Sequence, residues 1–141
     1  MSSTSFPLTD ARSPLGDMAR ALAASLVRPP DHAWRAHVTA LLEPLRAAFT
    51  EHRTATEGDR GLYADVVFDA PRLARTVDGL VAEHSELDSA MASLARAAAR
   101  TDLDAAVLRD RALKVLDDLH RHRQHDANLV HEAYTTDIGG E

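Results

Sequence analysis

The sequence contains no cysteine among its 141 residues. That absence excludes disulfide bonds, cysteine-ligated zinc sites, thiolate nucleophiles and iron–sulfur clusters. Aromatic residues are also scarce, at 4% of the chain, and β-branched residues are few, whereas alanine and leucine dominate. Because Ala and Leu are strong helix formers, this composition favours an all-α fold.

Basic blocks and long apolar runs are missing as well. The formal net charge is −6, which argues against a nucleic-acid surface. No apolar run reaches the roughly 20 residues that a membrane-spanning helix needs, and the first residues lack the pattern of a secretion signal. We therefore expect a cytoplasmic protein that binds neither nucleic acid nor membrane.

Four segments carry apolar residues at the three- and four-residue spacing of an amphipathic helix. Short connections between them make an up-down four-helix bundle the simplest fold. The expected domain spans residues 13–136. A flexible tail over residues 1–12 and a non-helical tail over residues 137–141 are expected to flank it.

Capping residues and prolines set the limits of the first two predicted helices. Ser13 followed by Pro14 predicts a helix start, and the next prolines, from residue 29, predict its end. Asp31 is the expected cap of the second helix. Pro44 lies inside that helix and predicts a kink or a restart, because proline removes a backbone donor.

The chain after the second helix contains further start and stop signals. Gly58 predicts its end, and residues 58–70 are expected to fold back onto the bundle in one or two helical turns. Asp69, followed by a proline, predicts the start of the third helix. The interior Gly79 suggests close helix packing, and Asp102 is expected to cap a fourth helix that runs to about residue 134.

Histidine is the unusual component, with eight in the chain. Three predicted helices each place one on the apolar stripe: His52, His84 and His122. Asp88 and Asp126 follow two of these at i+4, where both side chains can reach one ion. Imidazole plus carboxylate in a bundle core suits non-haem iron, manganese or zinc. The alternative is hydrogen-bonded core or surface pairs without a metal.

The order of these motifs resembles the hemerythrin-like (HHE) domains over roughly residues 33–141. The segments that carry the resemblance are His52–Glu57, Glu83–Leu87 and His120–Asp126, which fall in order on helices two, three and four. The end of the chain, His131-Glu132-Ala133-Tyr134 and Asp137-Ile138-Gly139-Gly140, is similar to that of small bacterial members.

The resemblance implies a bundle that holds non-haem iron, typically two ions bridged by carboxylates and oxygen. Such proteins bind dioxygen, or sense or store iron or oxygen, so binding rather than enzymatic turnover is the expected role, in a monomer or homodimer. The metal ligands that it implies are His52, His84, His122 and Asp126, with the acids Glu57 and Asp88 of the second and third helices as further candidates.

The sequence departs from the family pattern in three places. The first helix, within residues 13–27, has no histidine. Thr56 stands where a carboxylate is expected, and Glu57 lies one position further on, about 100° around the helix. Asp88 replaces a common second histidine. A mononuclear site, an altered site and a lapsed site all fit. A lapsed site would make the chain a non-catalytic helical protein-interaction module without a cofactor.

Overall fold

The computed structural model describes residues 13–136, and every regular element in that range is helical. That range contains five α-helices, in chain order α1 Pro14–Leu26, α2 Trp34–Glu57, α3 Leu62–Asp69, α4 Ala74–Ala99 and α5 Ala105–His131. A 3₁₀ turn, Pro71–Leu73, precedes α4, and a π-helical turn, Glu132–Thr136, follows α5. The predicted tails, residues 1–12 and 137–141, lie outside the described residues.

The predicted start of α1 is confirmed in detail. The side chain of Ser13 accepts a hydrogen bond from the backbone N–H of Gly16 at 3.0 Å, and Pro14 occupies the first turn. This cap satisfies one of the backbone donors that a helix N-terminus leaves free. The helix ends at Leu26, ahead of the prolines, as predicted.

The start and the interior of α2 differ from expectation. Asp31 accepts from the N–H of Ala33 at 3.0 Å, but the helix begins only at Trp34 and has no side-chain cap. The helix runs without a break through Pro44, so the predicted restart is wrong. Pro44 lies on an exposed face, and water can reach the carbonyl group that loses its donor there.

Residues after α2 fold back onto the bundle, as predicted. Gly58 is the C-cap of α2. A Cβ on Gly61 would lie 2.5 Å from the carbonyl oxygen of Ala55, so only glycine lets the chain turn this tightly against the end of α2. The turn buries Leu62 and Tyr63 of α3, whereas Phe68 is 86% exposed.

The starts of the last two long helices are shifted from their predicted positions. Asp69 makes no cap, because the 3₁₀ turn separates it from α4. Asp102 pairs with Arg100 at 2.9 Å, and Asp104, two residues later, takes the N-cap position of α5. Gly79 has no neighbour within 4 Å of a built Cβ, so its predicted role in close helix packing is wrong.

The long helices form a closed bundle. Helix α1 packs against α2 and α5, α2 packs against α4, and α4 packs against α5. Consecutive long helices are therefore neighbours, as in an up-down four-helix bundle. Within residues 13–136 no helix is both long enough and apolar enough to cross a bilayer.

The core consists of two apolar clusters with a polar layer between them. The larger cluster reaches Phe49 on α2, Leu87 on α4 and Leu119 on α5. The smaller one surrounds α3 and includes Leu80 of α4 and Leu129 of α5. Between these clusters, on three helices, lie the buried polar side chains of His84, His122 and Asp126 and the partly buried side chain of His52. The fold therefore places polar groups in a layer sealed by apolar residues above and below.

Candidate metal centre

Four potential metal ligands meet in the polar layer. They are His52 of α2, His84 of α4, and His122 and Asp126 of α5. One ligand atom from each lies within 4.8 Å of the others. The side chains of the last three are at most 1% exposed, and that of His52 is 10% exposed. Three helices therefore bring three imidazoles and one carboxylate to a single point.

Asp126 is the centre of this arrangement. Its Oδ2 lies 3.1 Å from Nε2 of His52 and 3.2 Å from Nε2 of His122. Its Oδ1 accepts a hydrogen bond of 2.5 Å from the hydroxyl of Tyr63. The same hydroxyl lies 3.4 Å from Nε2 of His84. The three Nε2 atoms therefore gather around one carboxylate.

The most informative atom is Nε2 of His122. It is fully buried and has no hydrogen-bond partner among the described residues. Oδ2 of Asp126 is close enough for an ion pair, at 3.2 Å, but it does not lie in a hydrogen-bonding direction. A buried polar atom left unpaired costs about 1–3 kcal/mol. A cation between the four ligands would satisfy it.

The imidazole rings stand edge-on to one another. Ring centroids lie 4.6 Å apart for His84 and His122, 5.4 Å for His52 and His84, and 5.6 Å for His52 and His122, with interplanar angles of 61–86°. Such angles direct ring edges, where the nitrogen lone pairs lie, toward shared space. Stacked rings would present their faces instead.

Carboxylates on the far side of two rings fix the imidazole tautomers. Glu57 lies 2.5 Å from Nδ1 of His84, and Glu83 lies 2.7 Å from Nδ1 of His122. A proton held at Nδ1 by each carboxylate leaves the Nε2 lone pair free to bind a metal. Glu57, which the sequence suggested as a ligand, therefore contacts Nδ1 of His84 on the side away from the centre. It is not one of the four ligand residues that meet there.

Glu83 also connects the centre to the surface. Its second oxygen lies 2.8 Å from Nδ1 of His125, whose side chain is 42% exposed. Neither Glu83 nor Tyr63 was predicted as part of the site. Glu83 stands directly before His84 but faces α5, and no spacing rule within one helix could show that. Tyr63 was assigned only to the packing of the turn after α2.

The electrostatics of the centre follow from burial and close charges. Burial lowers the pKa of His84 below its ordinary value, because the apolar surroundings disfavour the charged ring. Burial acts in the same sense on His122, but the close negative charges of Asp126 and Glu83 outweigh it and raise its pKa. Burial also opposes ionisation of Asp126, but the nearby ring of His122 and the hydrogen bonds from His52 and Tyr63 hold its pKa well below the usual range.

The remaining predicted candidates lie elsewhere. Asp88 is exposed and lines a surface groove with residues of α2 such as Glu43 and Arg46. The structure does not bring it to the centre, because the buried stripe of α4 continues from His84 through Leu87. Thr56 is buried, and its hydroxyl donates to the carbonyl oxygen of His52 at 2.9 Å. It therefore closes its own helix turn and does not replace a carboxylate ligand.

The other five histidines of the chain lie outside the centre. They are His32, His37, His120 and His131, all exposed, and His125, which reaches it only through Glu83. Comparison with known proteins adds no relative: no family model, no curated protein and no solved structure matches the chain. The functional interpretation therefore depends on the chemistry of the four ligands and their surroundings.

Proposed function

We propose that this protein is a metal-binding four-helix bundle of the hemerythrin-like type, with non-haem iron held by His52, His84, His122 and Asp126. Its proposed role is to bind, sense or store iron or oxygen. The observation that carries the proposal is the buried Nε2 of His122, which makes no hydrogen bond to the described residues and lies beside three further ligand atoms within 4.8 Å.

The donor chemistry supports a transition metal. Three imidazoles and one carboxylate suit iron, manganese or zinc, and calcium and magnesium prefer a set of oxygens. Iron is the first choice because histidine–carboxylate sets with open positions are typical of non-haem iron, and because the histidine motifs resemble those of the hemerythrin-like family. Glu57 and Glu83 lie beside Nδ1 of His84 and His122, and metal-bound histidines usually have such a carboxylate on the ring nitrogen that does not bind the metal.

One ion fits this site better than two. A bridged pair of ions needs additional carboxylates that face the centre. Glu57 and Glu83 are already bonded to Nδ1 atoms on the outer sides of the rings, and Asp88 is exposed on another face. The proposed site is therefore mononuclear, and it departs from the usual dinuclear pattern of the family.

The chain's own residues would do most of the positioning. Glu57 and Glu83 hold the tautomers of His84 and His122, and the hydroxyl of Tyr63 holds one oxygen of Asp126. The apolar layers on both sides exclude bulk water from the centre. Bound iron would supply redox chemistry and open coordination positions for a small ligand.

Metal loading of matched variants tests the proposal. His122→Leu removes a ligand from α5, whereas the control His120→Leu removes an exposed histidine two residues away on the same helix. After anaerobic loading with iron(II) and gel filtration, we expect about one iron per chain in the wild type and in His120→Leu, and roughly tenfold less in His122→Leu. Metal content would be measured by mass spectrometry, with manganese and zinc loaded in parallel.

If the wild type takes up no metal, a second function is favoured, that of a protein-interaction module without a cofactor. Asp126 already accepts hydrogen bonds from His52 and Tyr63, so the layer is largely satisfied as a structural network, as expected for an interaction module without a cofactor. In that case no metal exceeds trace content, and added metal leaves the melting temperature unchanged. A specifically bound ion at a hundred times its dissociation constant would instead add about 2.7 kcal/mol of stability.

A further inference from the structure

A cavity of about 360 Å³ lies beside the proposed metal centre, between the start of α1, the end of α2, α3 and α5. Its size is within the range of small-molecule sites. His52 is both the most exposed of the four ligands and the one ligand among the cavity-lining residues. The wall is largely apolar, formed by residues including Leu15, Ala48, Ala55 and Leu62.

Arg123 provides the polar anchor of this cavity. Its guanidinium is partly buried and contacts the hydroxyl of Ser13 at 3.3 Å. It packs over Gly16, where a Cβ would lie 3.1 Å from its terminal nitrogens. No carboxylate of the described residues lies within ion-pair distance of it. Arginine stays charged at all accessible pH values and matches the geometry of a carboxylate.

Three further charged residues line the cavity, but all three are exposed. They are Glu51, Arg60 and Asp65, whose charges sum to −1 and are screened by water. Arg123 lies deeper, beside an apolar wall. An occupant with an apolar body and one anionic group would satisfy both features at once.

We propose that this cavity binds a small monocarboxylate, with its carboxylate on Arg123 and its apolar body against the wall, and that this binding strengthens metal binding at the adjacent centre. The coupling rests on the proposed metal function, whereas the carboxylate site does not. Arg123 is the chain neighbour of His122 and lies one helical turn from Asp126. Its positive charge therefore opposes a cation bound there. A carboxylate on Arg123 offsets that opposition, and linkage requires the metal to strengthen carboxylate binding by the same factor.

Benzoate is the test probe, and uncharged benzamide of the same shape is its control. In metal-free wild-type protein we expect benzoate to bind with a millimolar or lower dissociation constant, and benzamide not to bind comparably. Changes in the amide chemical shifts of residues around the cavity measure both. Arg123→Met should abolish benzoate binding, whereas Arg123→Lys, which keeps the charge, should retain part of it. Ala55→Leu should block the cavity while leaving Arg123 in place.

The metal arm uses iron(II) in competition with a chromophoric chelator. Saturating benzoate should raise the iron affinity of the wild type by roughly three- to tenfold. Arg123→Met should give a similar increase without benzoate. The matched control is Arg121→Met, because Arg121 also neighbours His122 but faces solvent and pairs with Asp117 at 3.0 Å. It should leave iron affinity nearly unchanged.

Each result separates the two proposals. The carboxylate site is overturned if the wild type does not bind benzoate. It is also overturned if Arg123→Met, shown by circular dichroism to be folded, binds benzoate as well as the wild type does. If neither benzoate nor the Arg123→Met substitution changes the iron affinity, the coupling between carboxylate binding and metal binding is overturned. A protein that binds benzoate through Arg123 but takes up no metal contradicts the proposed metal function and leaves the carboxylate site standing.

Discussion

At the scale of single residues, the centre depends as much on the groups behind the ligands as on the ligands. Glu83 contacts Nδ1 of both His122 and His125, and Glu57 contacts Nδ1 of His84 and also accepts from Arg53 at 3.2 Å. These carboxylates decide which ring nitrogen carries the proton. A histidine binds a metal through Nε2 only when that nitrogen carries no proton, so a proton held on Nδ1 favours binding.

The role of Glu83 is open to a direct test. Glu83→Ala removes the partner of Nδ1 of His122, so we expect metal affinity to fall by roughly 10–100-fold. Glu86→Ala is the matched control. Glu86 is exposed and lines a surface groove together with Glu83, but it makes no hydrogen bond to a histidine of the described residues. Competition with a chelator measures both affinities. Equal affinities for the two variants would contradict a tautomer-fixing role.

The pH dependence of the metal-free protein is set by His84 and His122, which act in opposite directions. His84 has a lowered pKa, so its contribution to stability is present above the unfolded value of about 6.5 and is lost as pH falls. His122 has a raised pKa, so its contribution is present below that value and is lost as pH rises through the folded pKa. Replacing one histidine separates the two effects.

We therefore expect His84→Leu to flatten the acid side of the stability curve. With a chelator present, the melting temperature of the wild type should fall more steeply between about pH 6.5 and about pH 5 than that of the variant. The exposed His120 supplies the control, since His120→Leu should follow the wild type in parallel. Parallel curves for His84→Leu and the wild type would show that His84 is not held neutral by burial.

At the scale of secondary-structure elements, the short helix α3 is the piece that completes the centre. It brings Tyr63 to Asp126, and the tight turn at Gly61 determines its position. Gly61, at the start of α3, and Gly79, inside α4, differ in what surrounds them. Gly61 faces backbone oxygens of α2 within 2.8 Å of a built Cβ, whereas Gly79 of α4 faces open space.

Alanine substitutions should show this contrast. Gly61→Ala forces a Cβ against the carbonyl groups of Ala55 and Thr56, so we expect a loss of roughly 1–3 kcal/mol in the free energy of unfolding. Gly79→Ala fits without contact and should add up to about 1 kcal/mol, because alanine loses less backbone entropy in a helix. Urea unfolding followed by circular dichroism measures both. A neutral Gly61→Ala variant would mean that the turn relaxes freely.

At the scale of the whole molecule, the bundle places one polar layer between two apolar clusters. The layer lies toward the α3 end, where the turn after α2 folds over it and where the cavity beside His52 opens. The side chains of His84, His122 and Asp126 are at most 1% exposed, and His52 is the ligand that borders this cavity. A ligand in the cavity would meet the centre only at His52.

The sequence by itself determined the helical class, the long helices and most of the buried stripes. His84, His122 and Asp126, which the spacing placed on the inner faces of α4 and α5, are all buried. This succeeds because the period of an α-helix is local and fixed, so spacing along one chain segment defines one face. That His52, His84 and His122 each lie on the apolar stripe of their helix was predicted on the same ground, whereas the level of His52 relative to the other two was not.

Only the tertiary structure decided which groups complete the centre. Glu57 and Glu83 reach rings on other helices, Tyr63 arrives from a folded-back turn, and Asp88 lies outside although its spacing from His84 matches that of Asp126 from His122. Spacing within one helix cannot distinguish these cases, because they depend on the rotation and level of neighbouring helices. Those are set by how the apolar side chains of the different helices pack together.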